Sequence, residues 1–322
     1  SWWLIFGLFN GDVLLWTGDI LVTYAICGLL LFLFRNVGGK QLLITSVILI
    51  VLLTLYNSAL HFGLLYTHSL GEEAAELYAQ GKPVSDELAA MHLGWQEFVV
   101  DFYPSSTQIA QELAARGGSY LSAFEWTLVH NTDILLGYLW YMMVPDALVL
   151  MMLGMALFKL GVLQGKLDLS VYRNMAIVGL FSGLMINAYE LSAAHASQFD
   201  LVASFNSLMP TYHLGRVALA IGWIGIIVLL HRSLNFGWRL AAVGRMALTN
   251  YLLHSVICLF IFTGAGFGLI GQMSRWQVYG VVFGIWILQL YLSPWWLARF
   301  HYGPAEWAWR GLTYGRLSQF KR

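Results

Sequence analysis

The residues best able to do chemistry in this chain are polar side chains set among apolar ones, where hydrocarbon makes them costly unless they have a partner or a task. Asn10, Asp12 and Asp19 surround one turn, in Leu8-Phe9-Asn10-Gly11-Asp12 and Trp16-Thr17-Gly18-Asp19-Ile20-Leu21. Asp19 can cap the helix that follows, because a carboxylate there meets exposed N–H groups. Together with Asp12 it can equally line a polar recess. His61 lies about 31 Å of helix beyond Lys40, and Asn57, one turn deeper on the same face, can hydrogen-bond with it. Glu190, reckoned from Arg173, reaches a similar height. His213 and Arg216 open the next apolar stretch, so Glu190 and Arg216 suit either an ion pair or contact with a polar substrate.

The most pointed constellation is Gly244-Arg245-Met246-Ala247-Leu248-Thr249-Asn250-Tyr251-Leu252-Leu253-His254-Ser255. Arg245 with Thr249, Asn250 with His254, and Tyr251 with Ser255 are each four apart, hence neighbours on one helix face. His254 falls about 13.5 Å past Arg245, close to mid-membrane, where an imidazole needs a partner from another helix or a ligand. Candidate catalytic residues are therefore His254 and His61 as general bases and Asp19 as an orienting carboxylate. Asn10, Asp12, Asn57, Glu190, Arg216, Arg245, Asn250 and Tyr251 are candidate substrate contacts. No HExxH spacing and no Gly-rich loop before a Lys-Ser/Thr pair occurs, and no metal site is expected. Cys27 and Cys258 are lone thiols in apolar runs. A formal net charge of +0 gives nucleic acid no footprint.

The elements that must position these groups are membrane helices. Of 322 residues 59% are hydrophobic and 11% charged, against about a quarter charged in a soluble domain. Apolar runs cover 1–15, 14–34, 42–65, 141–160, 172–191, 214–231, 246–263 and 276–297, most of them near the roughly 20 residues that a bilayer demands. The expected fold is all-α, a polytopic transmembrane helical bundle of about eight spanning helices forming a single domain over 1–322. Residues 66–143 form an acidic excursion, with short helices at Asp86–Val100 and Ser106–Ala115 and an interfacial helix at Leu121–Tyr141. They read as a small extracytoplasmic helical cap.

Charge placement sets the expected orientation. With the Arg35–Lys40 link inside, 13 of the 17 basic residues fall on the inner side, among them Arg245, Arg310, Arg316, Lys321 and Arg322, and the positive-inside rule then places the C-terminus in the cytoplasm. Gly303-Pro304 should stop a helix, and Glu306 is expected to pair with Arg245 or Arg310.

Four stretches carry a resemblance to a known family. Trp16-Thr17-Gly18-Asp19-Ile20-Leu21 with Tyr24-Ala25 and Gly28, Gly244 to Tyr251, Gly303-Pro304-Ala305-Glu306-Trp307-Ala308-Trp309-Arg310 with Leu312-Thr313-Tyr314-Gly315, and Glu112 with Arg116-Gly117-Gly118-Ser119-Tyr120 resemble the YeiB-like bacterial inner-membrane proteins, the domain of unknown function numbered 418. Members look like distant relatives of membrane acyltransferases and have further helices upstream, so the resemblance implies an N-terminally incomplete chain. It also implies acyl transfer to a hydroxyl of an envelope glycan or lipid-linked acceptor, with acyl-coenzyme A as donor, membrane lipid around the bundle and self-association among the partnerships to consider. Where relatives carry a histidine, this chain reads Asn10-Gly11, and family members often have glutamine at the position of His254. A transporter of a small polar or amphiphilic solute, and a structural or sensing membrane protein, are the competing functions.

Overall fold

The computed structural model describes residues 2–234, 237–315 and 319–320, except the side chains of residues 233 and 234; Arg316, Lys321 and Arg322, which the orientation argument used, lie outside the described residues. The described secondary structure is helical: α1 (Trp2–Leu8, continued by a π-turn over Phe9–Val13), α2 (Ile20–Phe32), α3 (Gly39–Ala79), α4 (Asp86–Phe102), α5 (Ser106–Gly117), α6 (Tyr120–Leu136), α7 (Val144–Lys159, preceded by a π-turn at Leu139–Met143), α8 (Leu169–Ala196), α9 (Leu201–Leu234), α10 (Trp238–Arg245), α11 (Ala247–Phe262), α12 (Arg275–Leu297) and α13 (Pro304–Tyr314).

Five helical segments are long and apolar enough to cross a membrane: α3, Leu139–Lys159, α8, Leu201–Arg232 and α12. A sixth arises if α10 and α11, bent by 79° at Met246, are counted as one broken span. The expected eight is thus corrected to five or six. The first two apolar runs fall away, and the 246–263 run counts only as part of the broken span. The 14–34 run yields only the 13 residues of α2, about 20 Å of helix against a hydrocarbon core of about 30 Å. The 1–15 run yields seven α-helical residues and a π-turn. Hydropathy does not register the break between them, where Leu15 and Gly18 both take positive φ.

The chain divides into two compact units. One comprises residues 37–106 and 152–235. Its α8 and α9 pack backbone to backbone through small residues: a Cβ on Gly179 would stand 2.6 Å from the Gly222 nitrogen, and one on Gly225 2.6 Å from the Ala176 nitrogen. Without a hydrophobic drive in lipid, such close approach is what holds helices together. On α3 of this unit, Ile44, Val47, Ile48, Val51, Leu52 and Leu55 are exposed, as suits lipid contact. Its far end packs on α4, where His92 Nδ1 bonds the Gly71 carbonyl at 2.9 Å and His68 meets Trp95 edge-on.

The other unit comprises residues 1–36, 107–151 and 236–322. Val22 and Cys27 of α2 pack on Leu139 and Val144 in a buried apolar cluster. This unit also contains the bend at Met246 and most of the candidate site residues.

Candidate ligand cavity and its supporting polar cluster

Asp19 is the centre of the polar cluster. It caps α2, its Oδ2 accepting from the backbone N–H groups of Leu21 (2.7 Å) and Val22 (3.1 Å). Its Oδ1 accepts from Asn10 Nδ2 and from the Tyr251 hydroxyl, each at 2.8 Å. Four donors around a buried carboxylate suit a group that only accepts. Gly7 allows α1 this close, since a Cβ there would stand 2.8 Å from Asp19 Oδ2. Asn131 of α6 completes the turn, donating to Asp12 Oδ1 at 2.9 Å while its own Oδ1 accepts from Gly18 N. Asp12, Asp19 and Asn131 line a recess of about 20 Å³. That volume is room for about one water, far too little for a sugar or lipid headgroup.

The bend at Met246 exposes backbone groups that an unbroken helix would pair, and in a membrane these need partners. On one side, Asn250 Nδ2 donates to the Val243 carbonyl at 3.1 Å and to Ser293 Oγ at 3.0 Å. On the other, Glu306 accepts from the Thr249 N–H at 3.0 Å and from the Thr249 hydroxyl. The Thr249 hydroxyl oxygen in turn accepts from Ala305 N at 3.0 Å. A Cβ at Gly303 would stand 2.6 Å from that same oxygen, so glycine is required where α13 meets α11. The expected pairing of Glu306 with Arg245 or Arg310 is replaced by this cap; among the described residues, Glu306 makes no ion pair with either. Arg310 lies instead over the Tyr302 ring, and Arg245 is exposed.

Beside this cluster lies a cavity of about 570 Å³, within the range of ligand sites. Its walls are apolar: Leu14, Leu15 and Trp16 from the turn before α2, Cys258, Leu259 and Phe262 of α11, and Val278, Val282, Ile285 and Trp286 of α12. Tyr251, His254 and Ser255 also line it. The Tyr251 hydroxyl is engaged by Asp19, whereas the Ser255 hydroxyl, buried on the same wall, has no hydrogen-bond partner within the protein. Near the C-terminal end of α11 the lining includes Arg116. This guanidinium donates to Glu112 at 2.8 Å and lies over the Trp126 ring. The segment after α11 is tied to it by Gly264 N, which donates to the Arg116 carbonyl at 3.1 Å.

The remaining sequence candidates lie in the other unit. Asn57 and His61 do not bond one another as expected. Each reaches across to α9, Asn57 to His213 Nε2 at 2.9 Å and His61 Nε2 to Asn206 Oδ1 at 2.6 Å. Arg216 engages His213 Nδ1 at 2.6 Å and stacks over Tyr212. Arg216 only donates, so His213 Nδ1 accepts from it, and the Asn57 side-chain nitrogen faces the other ring nitrogen, Nε2. Glu190 accepts from the Thr211 hydroxyl.

Sequence reasoning missed Arg116, Asn131, Thr249 and Ser293 as parts of the site. Arg116 and Thr249 both stand in the quoted motifs, which were the available signal; Asn131 stands out only as one of several polar residues that make the 121–141 stretch interfacial, and nothing in the pattern marks Ser293. The four motif stretches meet pairwise in space, Asp19 with Tyr251 and Thr249 with Glu306, while Arg116 shares the cavity wall with Tyr251.

Comparison with known proteins finds uncharacterized bacterial relatives along most of the chain. Residues 157–316 match the family described as "Protein of unknown function (DUF418)". The chain is 27% identical over 319 residues to the uncharacterized protein YeiB of Escherichia coli (strain K12), covering 96% of this chain and 73% of that protein. It is 28% identical over 315 residues to the uncharacterized protein YxaH of Bacillus subtilis (strain 168), covering 97% of this chain and 69% of that one. A third match, 39% identical over 77 residues, is to an uncharacterized 39.9 kDa protein in the amylase 3' region of Bacillus acidopullulyticus, covering 24% of this chain and 22% of that protein. No solved structure matches. The chain is thus a multi-pass bacterial membrane protein whose residues 157–316 match the DUF418 family of proteins of unknown function.

Proposed function

We propose that this protein is a carrier that binds an amphiphilic solute in the 570 Å³ cavity and moves it through the bilayer. The cavity carries the reading: its walls are apolar along α11 from Tyr251 to Phe262, about 16 Å of helix, and a held guanidinium lies at one end. Such a space accepts a hydrocarbon chain along its length and a polar group at Arg116. Transport is favoured over acyl transfer because the carboxylate and the amide that would orient an acceptor and hold an oxyanion are already engaged. Asp19 is surrounded by four donors, and the Asn250 amide holds Val243 and Ser293.

The test uses the full chain in lipid nanodiscs. Trp16 and Trp286 line the cavity, so a bromine-terminated alkyl amphiphile should quench tryptophan emission saturably. Val282→Phe, which fills the cavity, should weaken that binding about tenfold or more and slow uptake of the same solute into liposomes carrying the protein. Quenching and uptake unchanged by Val282→Phe, in protein with unaltered melting, would remove the reading.

A further inference from the structure

The apolar cavity has a neighbour of different character. An open space of about 440 Å³ is lined by Leu113, Ala114, Gly117, Gly118, Gly268, Gly271 and Gln272, and Ile270 lines both cavities. The Ile270 side chain lies against the backbone of Gly117, with 3.4 Å between its Cγ2 and the place a Cβ would occupy. One cavity is walled by hydrocarbon side chains, while the other mixes four glycines, whose backbone is uncovered, with Leu113, Ala114, Ile270 and Gln272. Glycine leaves N–H and C=O groups bare to a ligand. Among the described residues, the N–H groups of Gly118 and Gly271, both at exposed positions on the rim of this space, make no hydrogen bond within the protein. Gln272 donates to the Gly268 carbonyl at 3.0 Å, which leaves its amide oxygen as an acceptor. The charge nearest the junction, Arg116, is already paired with Glu112, so a further anion is not called for.

We propose that the two cavities form one bipartite site for a single-chain amphiphile, its chain in the apolar cavity and a neutral, hydroxyl-bearing headgroup in the glycine-lined one, with Ile270 at the junction. Hydroxyls both donate and accept, which matches two free N–H groups, an amide oxygen and backbone carbonyls. The headgroup contacts orient the ligand, and the chain supplies most of the apolar burial. This inference rests on the carrier reading and adds the class of headgroup.

The experiment compares two probes of equal chain length on the full protein in nanodiscs: a bromine-terminated alkyl glycerol ether and the corresponding bromoalkane without a headgroup. Wild-type protein should bind the glycerol ether about tenfold or more tightly than the bromoalkane. Ala114→Phe, at an exposed position of α5, fills the glycine-lined cavity. It should abolish the preference while leaving bromoalkane binding within about twofold. Gln272→Ala, a smaller change, should reduce the preference in the same direction and serves if Ala114→Phe alters melting. Equal affinity for both probes in wild-type protein, or a preference that survives both substitutions, overturns the bipartite site while leaving the carrier standing. Failure of wild-type protein to bind either probe overturns both.

Discussion

The Tyr251 hydroxyl donates to Asp19 Oδ1 at 2.8 Å, joining α11 to the first residue before α2 across 232 positions of sequence. The same carboxylate caps α2, so one side chain fixes both a helix end and a helix–helix contact.

Removing the contact alone should therefore be milder than removing the carboxylate. Tyr251→Phe deletes one of four donors to a buried charged acceptor and should cost about 1.5–3 kcal/mol. Asp19→Ala loses that contact and the cap, worth about 0.5–2 kcal/mol more. Asp19→Asn keeps an oxygen for capping, but its NH₂ cannot accept, so it should fall between them. Melting of the three purified variants in one detergent gives the order; Tyr251→Phe as damaging as Asp19→Ala would contradict it.

Glu306 should behave as a helix cap, not as an ion-pair partner. Glu306→Ala leaves the Thr249 N–H without its acceptor at the bend, at a cost of about 1–3 kcal/mol. Glu306→Gln retains one acceptor oxygen and should lose less than half of that. Arg245→Gln and Arg310→Gln should leave the effect of Glu306→Ala unchanged. A double-mutant cycle read by thermal unfolding checks this, and coupling of more than about 0.5 kcal/mol to either arginine would restore the salt bridge.

The orientation argued from basic residues predicts that the loop before α4 faces out of the cytoplasm. Ser85, exposed at the α4 N-cap, is a convenient reporter. A cysteine introduced there should react with a membrane-impermeant maleimide in intact cells. Labelling only after the membrane is opened would reverse the topology.

The sequence marked the helices of this bundle better than it marked their breaks. Apolar runs located α3, α8, α9 and α12 because those helices carry their hydropathy without interruption. The same measure counted two spans too many over residues 1–34, because it sums side chains and does not see that the path around Leu15 and Gly18 turns back. Asp19 was legible as a cap, since Gly-Asp before an apolar run is a local signal. Glu306 was not, because its partner is a backbone N–H freed by the bend at Met246, and Met-Ala-Leu looks like good helix. Asn57 and His61 were placed on the right face, but helix periodicity names a face and not which helix lies opposite.

One consequence concerns α3. At 41 residues it is about 62 Å long, twice the hydrocarbon thickness, and it runs without a break from Gly39 to Ala79. Roughly half of it must stand beyond the hydrocarbon as a stiff lever. A change of about 10° in its tilt, small beside the range seen for membrane helices, would sweep the protruding tip by about 5 Å. A change in lipid thickness that tilted the embedded half would thus be felt where α4 packs on the far end of α3, at the His68–Trp95 contact.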